Sequence, residues 1–190
     1  MSGFTSELPS CATQIQQSFF LFVQFFVKIS RMDKIYLDTS IPSAYYDNSK
    51  PLRQLITQKW FENDAFEYEL CISNLVFEEL SKLPNHEKRE SIEDLLYTHQ
   101  INILPLTKQA QQLAGLYMRK GAIPSSEPAD ALHIAVATVN RIEALASWNF
   151  KHIVSINPIK KIHEINLKEN YQIIEIGSLE IFGGAKYGNL

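Results

Sequence analysis

From Lys34 onward, short apolar runs alternate with longer segments in which apolar residues recur at helical spacing. Short apolar runs between polar residues are typical of buried strands, and spacing by three and four positions is typical of helices that cover a sheet. The alternation predicts an α/β fold, a three-layer α/β/α sandwich with a mostly parallel central sheet. The predicted strands cover residues 34–38, 69–73, 101–104, 144–147 and 172–176.

Between these strands, the clearest predicted helix has Thr107 as its N-cap and Gly121 as the residue after its end. The segment 129–140 is apolar on almost every side, which predicts a helix buried against the sheet. Further helices are expected over 52–66, 73–83 and 87–99.

The composition excludes several classes of protein. The chain has 190 residues, of which 45% are apolar and 21% charged, as in one globular domain. Cys11 and Cys71 are the two cysteines, too few for a disulfide framework or a cysteine zinc site, and they favour a reducing, cytoplasmic setting. The net charge of −3 means that any contact with nucleic acid must depend on a local site.

The first 31 residues differ from the rest of the chain, since they contain only Glu7, Lys28 and Arg31 as charged residues. We expect residues 1–31 to be an extension outside the domain, which would cover 32–180, and residues 181–190 to be a flexible tail. The apolar run within 19–27 is shorter than the roughly 20 residues of a membrane helix and lacks the shape of a signal peptide, so no membrane span is expected. A membrane-surface or partner-binding helix is the alternative.

Polar residues follow or precede the predicted elements where a ligand crevice is expected. In open α/β sheets that crevice lies at the carboxyl ends of the strands. Asp38 follows the first strand, Asn149 follows the fourth, and Asp130 begins the buried helix. The alternatives are that Asp38 caps the next helix, Asp130 interacts with the helix dipole and Asn149 only forms a turn.

Glu78 and Glu79 are separated by helical geometry. At about 100° per residue, Glu79 lies near the apolar stripe of Val76 and Leu80, and Glu78 points away from it. Glu79 is therefore the carboxylate expected at the interior edge. The alternative is a residue at the border of the core whose carboxylate extends into water.

Carboxylates at one sheet edge cannot all stay ionised without a cation. Mg²⁺ or Mn²⁺ would remove the repulsion between these carboxylates, because these ions prefer carboxylate, amide and water oxygens as ligands. We therefore expect Asp38, Glu79 and Asp130 to converge, with pKa values raised by mutual repulsion in the absence of metal.

Four blocks of sequence resemble one known family. They are residues 35–40 (IYLDTS), 72–80 (ISNLVFEEL), 130–135 (DALHIA) and 146–152 (ASWNFKH). In order and spacing the chain over 32–180 is similar to the PIN-domain family, and specifically to VapC-type toxin ribonucleases of toxin-antitoxin pairs. The resemblance implies a PIN-like fold, an RNA substrate, a small antitoxin protein as partner and a homodimer.

The resemblance further implies an endoribonuclease that depends on Mg²⁺ or Mn²⁺, with Asp38, Glu79 and Asp130 as metal ligands. Asn149 stands where the family usually has Asp, which removes one negative charge, although an amide can still orient a metal-bound water. Thr39 and Ser40 would hold that water or a phosphate oxygen. Lys151 and His152 would receive the RNA backbone. The cluster Lys160, Lys161 and His163 would do the same, unless these residues form a solvated basic face.

Two other functions compete with this interpretation. A phosphoaspartyl phosphatase would use Asp38 as nucleophile, but such enzymes need a second Asp at the position of Ser40. A non-catalytic PIN-like binding protein is supported by Asn149. Cys71 lies inside an apolar strand and is not expected to be a nucleophile. His133 could be a general base, but a core histidine bonded to backbone is the favoured interpretation.

Overall fold

A computed structural model describes residues 33–183 and contains one sheet of five strands. The strands are β1 Lys34–Leu37, β2 Glu69–Ser73, β3 Asn102–Leu104, β4 Ala144–Ala146 and β5 Glu175–Gly177. All neighbouring strands are parallel, in the order β3-β2-β1-β4-β5. The predicted parallel sheet is confirmed, and each strand lies within about three residues of its expected bounds.

Seven α-helices connect these strands within residues 33–183. They are α1 Ser40–Tyr45, α2 Pro51–Asn63, α3 Asn74–Leu80, α4 His86–Thr98, α5 Lys108–Arg119, α6 Pro128–Val139 and α7 Ile156–Lys168. Helix α5 begins and ends as predicted: the Thr107 hydroxyl accepts the amide N–H of Ala110 at 3.2 Å, and Gly121 adopts a φ of 66°.

The sheet separates two hydrophobic cores, because side chains alternate between its faces. Ile35 and Leu37 of β1 pack in one core with α2 and α4, whereas Tyr36 packs in the other with α5, α6 and α7. The predicted three-layer α/β/α sandwich is therefore confirmed. Helix α6 is buried against the sheet as expected, with Ala131 and Ile134 fully inaccessible to solvent.

Helix α3 ends at Leu80, three residues before its predicted end. The Ser81 hydroxyl donates to the carbonyl of Glu78 at 2.8 Å, and Pro84 disfavours helical conformation in the residue before it. The early stop leaves Glu79 in the last turn of the helix.

The ordered chain continues past the predicted domain end at residue 180. A 3₁₀ helix covers Leu179–Phe182, the Phe182 side chain lies in the core, and its carbonyl accepts hydrogen bonds from Trp60 Nε1 at 3.2 Å and Tyr68 at 3.0 Å. Residues 1–32 and 184–190, which include the extension and most of the predicted tail, lie outside the described residues. Within the described part, no helix is both long and apolar enough to span a bilayer.

Candidate active site

The candidate site lies at the carboxyl ends of β1 and β4, which are neighbours in the sheet. Leu37 pairs with Ala146, so the residues after the two strands meet. The Asp38 N–H donates to the Ala146 carbonyl at 3.2 Å, and the Ser147 hydroxyl donates to Asp38 Oδ2 at 2.6 Å. Two segments that are distant in sequence are therefore joined at the position predicted for the crevice.

Asp38 is 4% exposed and accepts three hydrogen bonds. Besides the Ser147 hydroxyl, it accepts the Ser40 amide N–H at 2.9 Å and the Ser40 hydroxyl, both at Oδ1. Asp38 thus accepts the amide N–H of the first residue of α1, although the N-cap position itself is Thr39, so the capping alternative is met only in part. Burial raises the pKa of Asp38, and the charge of His133 and the serine hydroxyl groups oppose this only in part.

Ser40 and Ser147 also form hydrogen bonds with the loop after β4. The Ser40 hydroxyl accepts the Trp148 N–H at 2.8 Å, and the Ser147 hydroxyl accepts the Asn149 N–H at 2.9 Å. Ser40 therefore serves an internal carboxylate and an internal amide in this structure. Its predicted contact with water or phosphate stays a prediction.

Glu79 points to the interior edge while Glu78 is exposed, as helical geometry predicted. The Glu79 side chain is 27% exposed, and its Oε2 accepts hydrogen bonds from the Thr39 hydroxyl and from His133 Nε2, the latter at 3.0 Å. Thr39 adjoins Asp38, and His133 lies three residues after Asp130. Glu79 thus joins the two segments that carry the other candidate ligands.

The pKa predicted for Glu79 was wrong in direction. Burial acts to raise the pKa of Glu79, but the hydrogen bond and charge of His133 and the Thr39 hydroxyl outweigh it, so this pKa is lowered. Two donors on one carboxylate oxygen stabilise the charged form more than partial burial disfavours it.

His133 is 2% exposed, so the expected buried histidine is confirmed. Its partners, however, are side chains rather than backbone groups: Nδ1 lies 2.8 Å from the Tyr36 hydroxyl, and Nε2 contacts Glu79. The Tyr36 hydroxyl lies in turn 2.6 Å from the Ser73 hydroxyl.

Asp130 uses one oxygen to bind the segment after β4. Its Oδ2 accepts the Asn149 Nδ2 amide at 2.9 Å and lies 3.2 Å from His152 Nδ1. These contacts go to side chains, not to free N–H groups of α6, so the dipole alternative does not account for its placement. Burial raises the pKa of Asp130, the charge of Asp38 raises it further, and His152 and His133 oppose the shift. The upward direction agrees with the prediction for both aspartates, but burial is the main cause, and repulsion by another carboxylate contributes only at Asp130.

Asn149 does more than form a turn. Its Oδ1 accepts the His152 N–H at 3.1 Å, which shapes the loop, while its Nδ2 holds Asp130. The amide therefore directs a donor, and no negative charge, at the candidate metal ligand.

A second set of possible ligands shares Asp130. One ligand atom each from Glu127, Asp130 and His152 lie within 4.8 Å of one another. The sequence interpretation missed Glu127 and assigned His152 to RNA; here His152 Nδ1 lies against Asp130 and 3.8 Å from Glu127 Oε1. His152 thus lies against both carboxylates of this cluster.

The carboxylates retain free coordination capacity. Among residues 33–183, Glu79 Oε1 and Asp130 Oδ1 accept no hydrogen bond, and both residues form their ion pairs with histidines rather than with Lys or Arg. Partly buried oxygens with free lone pairs and few cations nearby suit a hard divalent metal ion. The donor set therefore fits a hard divalent cation.

The basic residues that were predicted to contact the RNA backbone differ in their surroundings. Lys151 is exposed, but Lys161 Nζ donates to the Gly121 carbonyl at 3.0 Å, and His163 Nε2 lies 2.9 Å from the Ile174 carbonyl. Two members of the basic cluster thus hold the fold together. Lys151, Lys160 and Lys161 are all exposed, and of these three Lys161 is bonded to a backbone carbonyl.

Cys71 is 1% exposed, and burial raises the pKa of its thiol to about 11, so the expectation that it is no nucleophile is confirmed. The phosphatase alternative loses support because position 40 carries a serine that donates to Asp38 instead of a second aspartate, and Asp38 is itself buried. The residues missed from sequence were Ser147, Tyr36, Ser73 and Glu127. For Ser147, Tyr36 and Ser73 the available signal was a polar group in an otherwise apolar strand segment, whereas Glu127 precedes helix α6 and gave no such signal.

The chain is similar to several known proteins and to one family of proteins. Among solved structures, VapC20 from Mycobacterium tuberculosis, described as a sarcin-ricin loop cleaving toxin, has 16% identity and a TM-score of 0.47, over 63% of this chain and 92% of that one. VapBC2 from Rickettsia felis, bound to a promoter DNA fragment, has 17% identity and a TM-score of 0.46, over 75% and 96%. No curated protein matches the chain. The family model for the PIN domain matches residues 35–149, more than half of the sequence, and the chain belongs to the PIN-domain family.

Proposed function

We propose that this protein is an endoribonuclease that depends on Mg²⁺ or Mn²⁺ and hydrolyses phosphodiester bonds in RNA. The observation that carries the proposal is the pair Asp38 and Asp130, both largely buried, in which the charge of Asp38 raises the pKa of Asp130. A protein keeps two such carboxylates together at a cost in stability, and a divalent cation removes that cost.

Asp38, Glu79 and Asp130 would hold the cation. When bound, it would lower the pKa of a water molecule and stabilise negative charge on the phosphate. Ser40 and Ser147 orient Asp38, His133 and Thr39 orient Glu79, and Asn149 and His152 orient Asp130. Each ligand thus has its side-chain position fixed by hydrogen bonds before metal or substrate arrives.

The finer assignments rest on the resemblance of the four sequence blocks. On that basis the protein is the VapC-like toxin of a toxin-antitoxin pair, with a small antitoxin protein as partner, a homodimeric state and a cytoplasmic location. Thr39, Ser40, Lys151 and His152 are the proposed contacts to RNA. The free thiol of Cys71 is consistent with a reducing compartment.

A non-catalytic PIN-like binding protein is the second candidate. Asn149 favours it, since its amide donates to Asp130 where the family usually places a fourth carboxylate. Metal binding without RNA cleavage would be its signature.

The test is a cleavage assay on single-stranded RNA, with Mg²⁺ or Mn²⁺ titrated after treatment with EDTA. We expect cleavage only with metal, its loss in Glu79→Gln, and its retention in the matched control Glu78→Gln, whose side chain is exposed one residue away. Cleavage that persists in EDTA, or that Glu79→Gln leaves unchanged, would refute the proposed site. Metal binding by a parent protein that cuts no RNA would favour the second candidate.

A further inference from the structure

A chain of five side chains crosses the interior from β2 to the candidate site. Its successive members are Ser73, Tyr36, His133, Glu79 and Thr39. The contacts are 2.6 Å from Ser73 to Tyr36, 2.8 Å from Tyr36 to His133 Nδ1 and 3.0 Å from His133 Nε2 to Glu79 Oε2. Ser73, Tyr36 and His133 are at most 2% exposed. Buried polar groups in such numbers are retained only where every one is satisfied.

Counting the protons on each side chain identifies the donor in each hydrogen bond of this chain. An ionised Glu79 can only accept, so His133 Nε2 must carry a proton and donate it. In a neutral imidazole Nδ1 then accepts, and the Tyr36 hydroxyl must donate to it. Burial raises the pKa of Tyr36, so the hydroxyl keeps its proton, and Tyr36 can accept in turn from Ser73. With a neutral His133 this arrangement of protons satisfies all three side chains behind Glu79, whereas a charged His133 would donate from Nδ1 to the Tyr36 hydroxyl instead.

We propose that His133 is a positioning residue for Glu79, and that Tyr36 and Ser73 select the tautomer in which His133 donates to it. This inference rests on the proposed role of Glu79 as a metal ligand. His133 and Thr39 together occupy Oε2, so the carboxylate is held through one oxygen and Oε1 is left for the cation.

The same contacts argue against His133 as a general base. Both ring nitrogens have partners, and the 2% exposure leaves no access for substrate. A simple core-filling role is equally unsuited, since an apolar residue would fill the space without placing a donor on Glu79.

A pair of substitutions at position 133 separates positioning from packing. In His133→Gln the amide nitrogen can take the place of Nε2 and still donate to Glu79. In His133→Asn the shorter amide takes the place of Nδ1 and reaches only Tyr36. We expect His133→Asn to weaken Mn²⁺ binding about 10- to 100-fold, the range for losing a hydrogen-bond partner of a metal ligand. His133→Gln should stay within a few-fold of the parent.

Mn²⁺ affinity is measured by electron paramagnetic resonance or calorimetry, with Tm recorded for each variant. Both substitutions remove the ring, so a packing role predicts losses of Tm that follow side-chain volume, larger for His133→Asn, and no difference in affinity. Equal Mn²⁺ affinities in the two variants would overturn the proposal.

Tyr36→Phe tests the tautomer, and Tyr117→Phe is its matched control. Tyr117 is a fully buried tyrosine on the same face of the sheet, with its hydroxyl bonded to Asn166 and Thr138. Nitrogen NMR of histidine-labelled protein, with His133 assigned by its missing signal in His133→Asn, should show a proton on Nε2 alone. Tyr36→Phe should shift this pattern and weaken Mn²⁺ binding, and Tyr117→Phe should do neither.

A proton on Nδ1 alone, or on both nitrogens, in the parent would overturn the tautomer assignment. The NMR measurement needs neither metal nor RNA, so it is decided independently of the nuclease. If RNA is cleaved but the position-133 variants bind Mn²⁺ equally, this inference fails and the proposed function stands. If the variants rank as expected but no RNA is cut, this inference stands and the proposed function fails.

Discussion

The two sides of the candidate site treat negative charge in opposite ways. On the glutamate side, His133 and Thr39 donate to Glu79 and lower its pKa. On the aspartate side, burial raises the pKa of both Asp38 and Asp130, and the charge of Asp38 adds to the shift at Asp130. The protein therefore stabilises one carboxylate charge by itself and leaves two others in conflict.

This difference assigns separate roles to the two sides. Glu79 is ionised and oriented before any cation binds, so little free energy is needed for it to become a metal ligand. Asp38 and Asp130 gain most from a cation, because it removes their mutual repulsion. Affinity for metal should therefore depend most on the aspartate side, and orientation of the site on the glutamate side.

The largest expected effect is that of Asp130→Asn on the aspartate side. Loss of a hydrogen-bond partner of a metal ligand weakens metal affinity by up to roughly 100-fold, and loss of the ligand itself should weaken it further. RNA cleavage should therefore be abolished. Tm should hold or rise slightly, since repulsion with Asp38 is relieved. Cleavage rates and melting curves measure both.

Asp94→Asn, an exposed helical position, is the control and should leave cleavage and Tm unchanged. An Asp130→Asn variant that cuts RNA as fast as the parent would show the site to be wrong and favour the binding-protein alternative.

Asn149→Asp should have the opposite sign. It replaces the donor 2.9 Å from Asp130 Oδ2 by a third negative charge on the aspartate side. Mn²⁺ should bind more tightly, on the order of tenfold for one added carboxylate, and cleavage should hold or rise. Without metal, Tm should fall. Asn149→Ala, which removes the amide without adding charge, is the comparison; equal metal affinity in the two variants would contradict the argument.

The two sides should also differ in how pH affects stability without metal. A raised pKa means that Asp130 favours the folded state below the ordinary carboxyl value near pH 4 and loses that contribution as pH rises through its raised value. Glu79 contributes stability above its ordinary value, which is lost as pH falls through its lowered pKa.

At neutral pH, Glu79→Gln should therefore lower Tm and Asp130→Asn should raise it, by about 2–4 °C for each kcal/mol. Both shifts should shrink as the pH approaches about 4, where the ordinary carboxyl group gains its proton. Thermal melting from pH 4 to 8 in EDTA gives the comparison, and shifts of the same sign would remove the distinction between the sides.

The smallest effect is expected from starting the chain at Met32. Residues 1–31 differ in composition from the rest of the chain, with three charged residues among them, so we expect Tm and cleavage to stay nearly unchanged. Phe182→Ala is a positive control at the other end, since removing a buried phenylalanine costs about 3–5 kcal/mol. A large loss of stability in the shortened chain would place the extension in the core.

Some of this site follows from local rules, and some does not. The ends of strands place Asp38 and Asn149 at one edge, and helical geometry separates Glu79 from Glu78. The partners of these residues depend on which strands become neighbours and in what register, as Ser147 and Tyr36 show. The lowered pKa of Glu79 could not be predicted, because it depends on a histidine 54 positions away whose tautomer is set by a third element.

The position of β1 at the centre of the sheet has a consequence for when activity can arise. Its neighbour β4 lies late in the chain, and Asp38 and Ser147 are 109 positions apart. Pairing over such separations makes folding slow. A growing chain that has emerged only as far as residue 126 contains Asp38 and Glu79 but neither helix α6 nor β4. We therefore expect a nascent chain to stay inert on the ribosome until almost the whole domain has been made.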